Sequence, residues 1–182
     1  MKKIISVLML AFLLAYASPV LAMSADWSKA IDARTTLIWV DAQILGKMVL
    51  NARAKLFITW LPKSLLSMLR KDHDADEWIT NGLGFYSSIN EDTAAKVKGR
   101  DIIALNYATL KSWHFNPSDL VIGDYHVTDD DILGHEYFRG QTGDLPSGID
   151  GLLFICVPSL KPGRSVTITL ENDSAVLELP KK

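Results

Sequence analysis

The densest run of groups able to do chemistry lies between His114 and Glu136. It holds His114, His126 and the pair His135-Glu136, with Asp124 and Asp129 to Asp131 between them. Imidazoles and carboxylates are ligands for a zinc-like divalent ion, and Asp131 and His135 fall one helical turn apart. The candidate metal set is therefore His114, His126, His135 and Glu136, and an ion held there would support hydrolysis. The competing account is capping. Thr128 and Asp131 have cap spacing, and acids in a first turn complement the helix dipole without any metal. Gly134 weakens the helix that would carry the pair, and neither H-x-x-x-H nor H-E-x-x-H occurs. Capping is favoured, so no cofactor is expected, with one zinc-like divalent metal as the alternative.

Other reactive groups have weaker contexts. His73, Asp74, Asp76 and Glu77 form an acidic patch without the D-x-[DN]-x-[DN]-G loop of a calcium site. Cys156 sits in the apolar run Leu152 to Val157, where a thiol is a small core side chain rather than a nucleophile. No His or Met follows it, which excludes a blue-copper arrangement. The Gly-rich stretch Gly140 to Gly151 lacks the G-K-[ST] ending of a phosphate cradle. Ser64, Ser67, Ser87 and Ser88 occur in no G-x-S-x-G context.

The elements that must position these residues follow from hydrophobic period. Every even position from Ile38 to Trp60 is apolar or Gly, and the polar side chains of that span occupy odd positions. That is the period of a half-buried strand. The span exceeds the usual strand of about 3–10 residues, so it folds back at Gly46. A three-residue loop, Ile44-Leu45-Gly46, would pair Ala42 with Met48 and Val40 with Leu50 and keep one face apolar. The odd face then carries Trp39, Arg53, Lys55 and Phe57, aromatics among cations in the manner of an interaction hot spot. These four, with Arg139 of the Arg139–Gly151 loop, are the candidate binding residues. The competing expectation is that helices cover the odd face.

Short helices are expected over Pro62 to Lys71, over Asp74 to Thr80, and from after Asn90 to Gly99. Beyond Asp101 the chain reads as β: Ile103, Leu105 and Tyr107 alternate, a turn falls at Asn116 to Asp119, and Leu120–Ile122 is a short strand. Thr128 to Asp131 opens another helical turn. Leu152 to Val157 is a strand covered on both faces. A last hairpin pairs Val166, Ile168 and Leu170 with Ala175, Leu177 and Leu179 across a turn at Asn172-Asp173. The expected fold is mainly β and β-sandwich-like, with antiparallel hairpins at both ends of the mature chain and two or three short helices; α+β is the alternative.

Composition and targeting narrow the function. The 182 residues are 48 % hydrophobic and 22 % charged, a globular rather than disordered balance. One cysteine excludes a disulfide framework, and a formal charge of −2 argues against nucleic acid as partner. Lys2 and Lys3, the apolar run Ile4 to Tyr16 and the small residues Val20 and Ala22 form a tripartite signal peptide over residues 1–22. Thirteen apolar residues are too few to span hydrocarbon, which needs ~20. Removal of the leader leaves 23–182 as a single β-rich domain, periplasmic or secreted, with no transmembrane segment. Its charge is uneven: residues 23–71 carry eight Lys/Arg and three acids. Two halves attracting across a seam, or a basic face for an anionic envelope lipid or polymer, would each account for that. The expected function is an exported, non-catalytic binding or accessory module for an envelope protein or polymer. The alternatives are a metal-dependent hydrolytic enzyme and a structural envelope protein pairing through β edges.

Overall fold

The alternation of residues 36–60 is realised as extended backbone, and it sets the plan of the whole molecule. The computed structural model describes residues 28–69, 95–133 and 142–181. A short helix α1 (28–32) leads into β1 (Thr35–Val40), β2 (Gln43–Leu45), β3 (Met48–Leu50) and β4 (Ala54–Leu61). Helix α2 (Lys63–Leu69) follows, and a helical turn at 95–97 precedes β5 (Arg100–Thr109). Next come β6 (Trp113–Phe115), β7 (Leu120–Ile122), β8 (Tyr125–His126), β9 (Ile132–Leu133) and β10 (Gly143–Leu145). The chain closes with β11 (Asp150–Pro158), β12 (Arg164–Leu170) and β13 (Asp173–Leu179). The fold is mainly β and sandwich-like; among the described residues every strand pairing is antiparallel and no helix is long and apolar enough to cross a membrane.

Two sheets face each other across the main core. One has the order β1-β4-β5-β11-β9 and the other β13-β12-β7-β8. From the first come Ile38, Leu56, Ile58, Ile103, Leu105 and Ile155; from the second come Leu120, Ile122, Ile168, Leu170 and Leu177. The β6–β10 pair closes one side with Trp113, Phe115 and Leu145. The other face of the five-stranded sheet holds a smaller core, where Leu61, Ile102, Ala104, Phe154 and Cys156 meet Ile31 of α1 and Leu65 and Leu66 of α2. Within β11 the run Leu152 to Val157 is apolar because that part of the strand is covered on both faces, as its composition predicts.

Four local expectations are corrected. The first hairpin does not turn through Ile44-Leu45-Gly46; Val40 pairs with Ala54, and a two-residue turn at Gly46-Lys47 sets Leu45 opposite Met48. The last hairpin turns at Glu171-Asn172, one residue early, with Glu171 at φ +53°; its parity switch is as expected, with Val166 opposite Leu177. The stretch from Arg139 to Gly151 is not all loop, because Gly143–Leu145 pairs with Trp113–Phe115 and β11 begins at Asp150. Pro62 stands just ahead of α2 rather than inside it, its carbonyl accepting from Leu66 N at 3.0 Å. The helical turn before Gly99 and the 3-10 turn Asp129–Asp131 form as expected, whereas the Asp74–Thr80 helix lies outside the described residues.

Gly151 shows how tightly the main core is filled. It pairs with Tyr107, whose ring occupies the space a side chain would take and meets Phe115 edge-on at 5.5 Å. A β-carbon at Gly151 would fall within that ring. Gly151→Ala is therefore expected to destabilise the fold by about 1–3 kcal/mol, the usual range for overpacking. Urea unfolding measures this, and an unchanged midpoint would show that Tyr107 can move aside.

Candidate interaction surface

The β2–β3 ribbon is where the chain departs furthest from ordinary burial. Val40 and Ala54 end the paired stretch of β1 and β4 with no exposed surface. Between them and the pair Gln43–Leu50, two residues (Asp41, Ala42) oppose three (Asn51, Ala52, Arg53), so the returning strand carries one extra residue. Asp41 at φ +53° and Asn51 at φ +63° take the left-handed backbone this bulge needs, a conformation that Asp and Asn tolerate. The extra residue shifts the side-chain parity. Beyond it Ile44, Leu45, Met48 and Leu50 are 65, 57, 60 and 39 % exposed. Ile44 lies on one face of the ribbon; Leu45, Met48 and Leu50 lie on the other.

The base of the ribbon is clamped. Arg53 pairs with Asp41 through Nε and Nη2, and its Nη2 lies 3.4 Å from Glu171 Oε2. Glu171 Oε1 accepts from Trp113 Nε1 at 2.9 Å, and Asp173 Oδ2 accepts from Asp41 N at 2.8 Å. Lys111 Nζ donates to Asn51 O at 3.1 Å. These bonds tie the bulge to the β12–β13 turn and to β6, so a mobile tip would still sit on a fixed base. Arg53–Glu171 is also a contact between the basic early segment and the acidic later one.

Of the sequence-nominated binding residues, Trp39 and Lys55 form a cross-strand pair and both are half-buried. Phe57 is exposed, and Lys55 Nζ stands 5.8 Å from the centre of its ring. The helices α1 and α2 cover the Leu61 end of this face. Arg53 is occupied by its ion pairs rather than presented outward, and Arg139 lies outside the described residues.

Two of the four proposed metal ligands are described, and they lie on different sheets. His114 on β6 pairs across strands with Asp144 on β10, its Nδ1 at 2.8 Å from Asp144 Oδ1, with side chains 66 and 96 % exposed. His126 belongs to β8 in the four-stranded sheet, opposite Val121. His135 and Glu136 lie outside the described residues, as does the His73–Glu77 patch. Among the described residues no three His, Cys, Asp or Glu side chains are placed to hold a metal. Ser112, His114 and Asp144 share an open cleft of about 460 Å³ with Trp113, Leu145 and Pro146. Ser112 makes no hydrogen bond to His114 among the described residues, so the relay of an activated serine is not assembled.

Among the described residues the carboxylate with the most hydrogen-bond partners is Asp131, and they explain its place in the fold. Arg100 Nη2 reaches its Oδ1 at 2.6 Å, Tyr125 OH donates to both of its oxygens, and Thr128 N and Oγ1 reach its Oδ2 at 2.8 and 3.0 Å. The same Arg100 nitrogen donates to Cys156 O at 2.6 Å, joining β5, β11 and β8. Burial alone would raise the Asp131 carboxyl's pKa, but the donors from Arg100, Thr128 and Tyr125 outweigh it and hold it below the ordinary value. Burial, together with the bond to Asp131, pushes the Tyr125 hydroxyl up. Cys156 is buried with Sγ 3.6 Å from Lys96 O, and burial pushes its thiol up, away from nucleophilic use.

Because its folded pKa lies below its unfolded one, Asp131 stabilises the fold at pH values above the ordinary Asp pKa of about 4. That contribution disappears as pH falls through the lowered folded value. Asp131→Asn leaves Arg100 uncompensated and is expected to cost about 2–4 kcal/mol at pH 7, between a screened pair and a fully buried one. In urea unfolding the gap between wild type and variant should narrow on acidification. Equal stabilities at pH 7 would show that the latch contributes nothing.

The ribbon residues Ile44, Leu45, Met48 and Leu50 escaped the sequence reading because alternation assigned the even ones to the core. The available signal was Gly46-Lys47, a two-residue turn whose parity conflicts with that assignment. Comparison with protein-family models, with curated proteins and with solved structures gives no match for this chain.

Proposed function

We propose that this chain is an exported, non-catalytic binding module whose contact element is the β2–β3 ribbon. The observation that carries the reading is the exposure of Ile44, Leu45 and Met48, each more than half open on a ribbon whose base is held by ion pairs. Apolar side chains gathered at a projecting turn stabilise nothing in the free molecule and are suited to burial against something else. Export rests on the tripartite pattern of residues 1–22 and places the module in the periplasm or outside the cell. The half-open Trp39–Lys55 pair and Phe57 lie on the hairpin from which the ribbon extends, and add a second contact zone.

The test is a photo-crosslinking amino acid placed at Met48 and, as control, at Val176, an apolar residue also exposed but on β13. In exporting cells the Met48 position should give an adduct, to protein or lipid, that the Val176 position does not. Adducts from neither position, or the same adducts from both, would remove the ribbon as the contact element.

A further inference from the structure

Resting on the ribbon as contact element, we propose that its occupant is an anionic lipid bilayer, with the Gly46-Lys47 turn entering the boundary between headgroups and acyl chains. The first argument is that both faces are apolar. Ile44 projects from one face and Leu45 and Met48 from the other, all more than half exposed. A groove on a folded partner, or the same ribbon on a second copy, would bury one face and leave the other in water. A fluid hydrocarbon boundary surrounds both.

The second argument is depth. Strands β2 and β3 have three residues each, a length of about 10 Å at the usual rise per residue. That matches the insertion of about 5–10 Å typical of interfacial elements. The outer edges of a two-stranded ribbon leave backbone groups unpaired, which hydrocarbon does not tolerate but hydrated headgroups do.

Charge is the third. From Ala42 to Leu69 the sequence has Lys47, Arg53, Lys55 and Lys63 and not one Asp or Glu. Among the described residues Arg53 is ion-paired, whereas Lys47, Lys55 and Lys63 are not. Lys47 occupies the turn itself, where its stem can lie along acyl chains while its ammonium meets phosphate.

The experiment uses the chain from residue 23, which contains every described element, with vesicles of phosphatidylethanolamine and phosphatidylglycerol or of phosphatidylcholine alone. The wild type should float with the anionic vesicles and weakly or not at all with the neutral ones. I44D/M48D should bind at least about tenfold more weakly at an unchanged melting temperature, and K47E about fivefold more weakly, with the K47E effect shrinking at high salt. A polarity-sensitive dye on M48C should shift to the blue and be quenched by spin-labelled acyl chains; Cys156 is buried and will not compete for label. Equal flotation of wild type and I44D/M48D overturns the proposal. So does an absence of flotation, and the crosslinking result then separates two cases. An adduct from Met48 to protein keeps the binding module and replaces lipid with a protein partner. No adduct removes both readings. Self-association that I44D/M48D abolishes, without vesicle binding, assigns the ribbon to a second copy and also overturns the lipid.

Discussion

One extra residue on the returning strand of the first hairpin decides what this molecule presents to its surroundings. Up to Val40 and from Ala54 the even-numbered side chains enter the core; between them the bulge ends the regular pairing of β1 with β4, and the apolar side chains beyond it are exposed on both faces of the ribbon. The cost falls on Asp41 and Asn51, which take left-handed backbone, and on the pairing interrupted between them. The structure offsets it with the Arg53–Asp41 pair and with the Glu171 and Asp173 carboxylates, which accept from Arg53, Trp113 Nε1 and Asp41 N. A bulge carrying so many dedicated partners is a specified feature of the fold.

The five-stranded sheet makes that specification possible because it is fixed from both sides. Its even positions on β4 and odd positions on β5 and β11 meet the second sheet; its opposite face meets α1 and α2. The second sheet supplies Glu171 from the turn joining β12 and β13 and Asp173 from the start of β13, beside the edge strand β1. Main-core packing and the clamp therefore act on the same hairpin from different directions. Packing fixes the direction of β1 and β4, and the clamp fixes where their regular pairing stops.

Period-two alternation in the sequence was sufficient for the sheet-based architecture, the first and last hairpins and the doubly buried β11. It misplaced both turns by a residue or more, for one reason. Hydrophobic period reports which residues share a face but not where positive φ admits an extra residue or a turn: at Asp41 and Asn51 it admits the bulge that shifts the first hairpin, and at Glu171 the last turn, none of them glycine. The alternation of residues 42–50 was also misleading at the level of the site. A run that continues in phase past Val40 looks like more core, yet core requires a facing layer, and no one-dimensional pattern contains it. The Thr128–Asp131 cap was legible because its partners are local; the link from Asp131 to Arg100 and Tyr125 was not, since it depends on β5 and β8 being brought together.

Polar and apolar groups have exchanged their customary roles here. Among the described residues several reactive side chains hold the fold: Asp131 is surrounded by four donor groups, Arg53 and Glu171 close the clamp, and Cys156 is buried with its carbonyl bonded by Arg100 and its thiol against Lys96 O. His114 and Asp144, which do reach solvent, bridge the two strands of a small pair. Large apolar side chains, which a fold ordinarily hides, stand outward at the β2–β3 turn on both faces of a ribbon too narrow to shelter them. Exposing an apolar side chain forgoes about 1.5–3 kcal/mol of burial, so the arrangement is favourable only where the ribbon's surroundings restore it. The proposed contact element combines an anchored base with an exposed tip, and the bulge lies between the two.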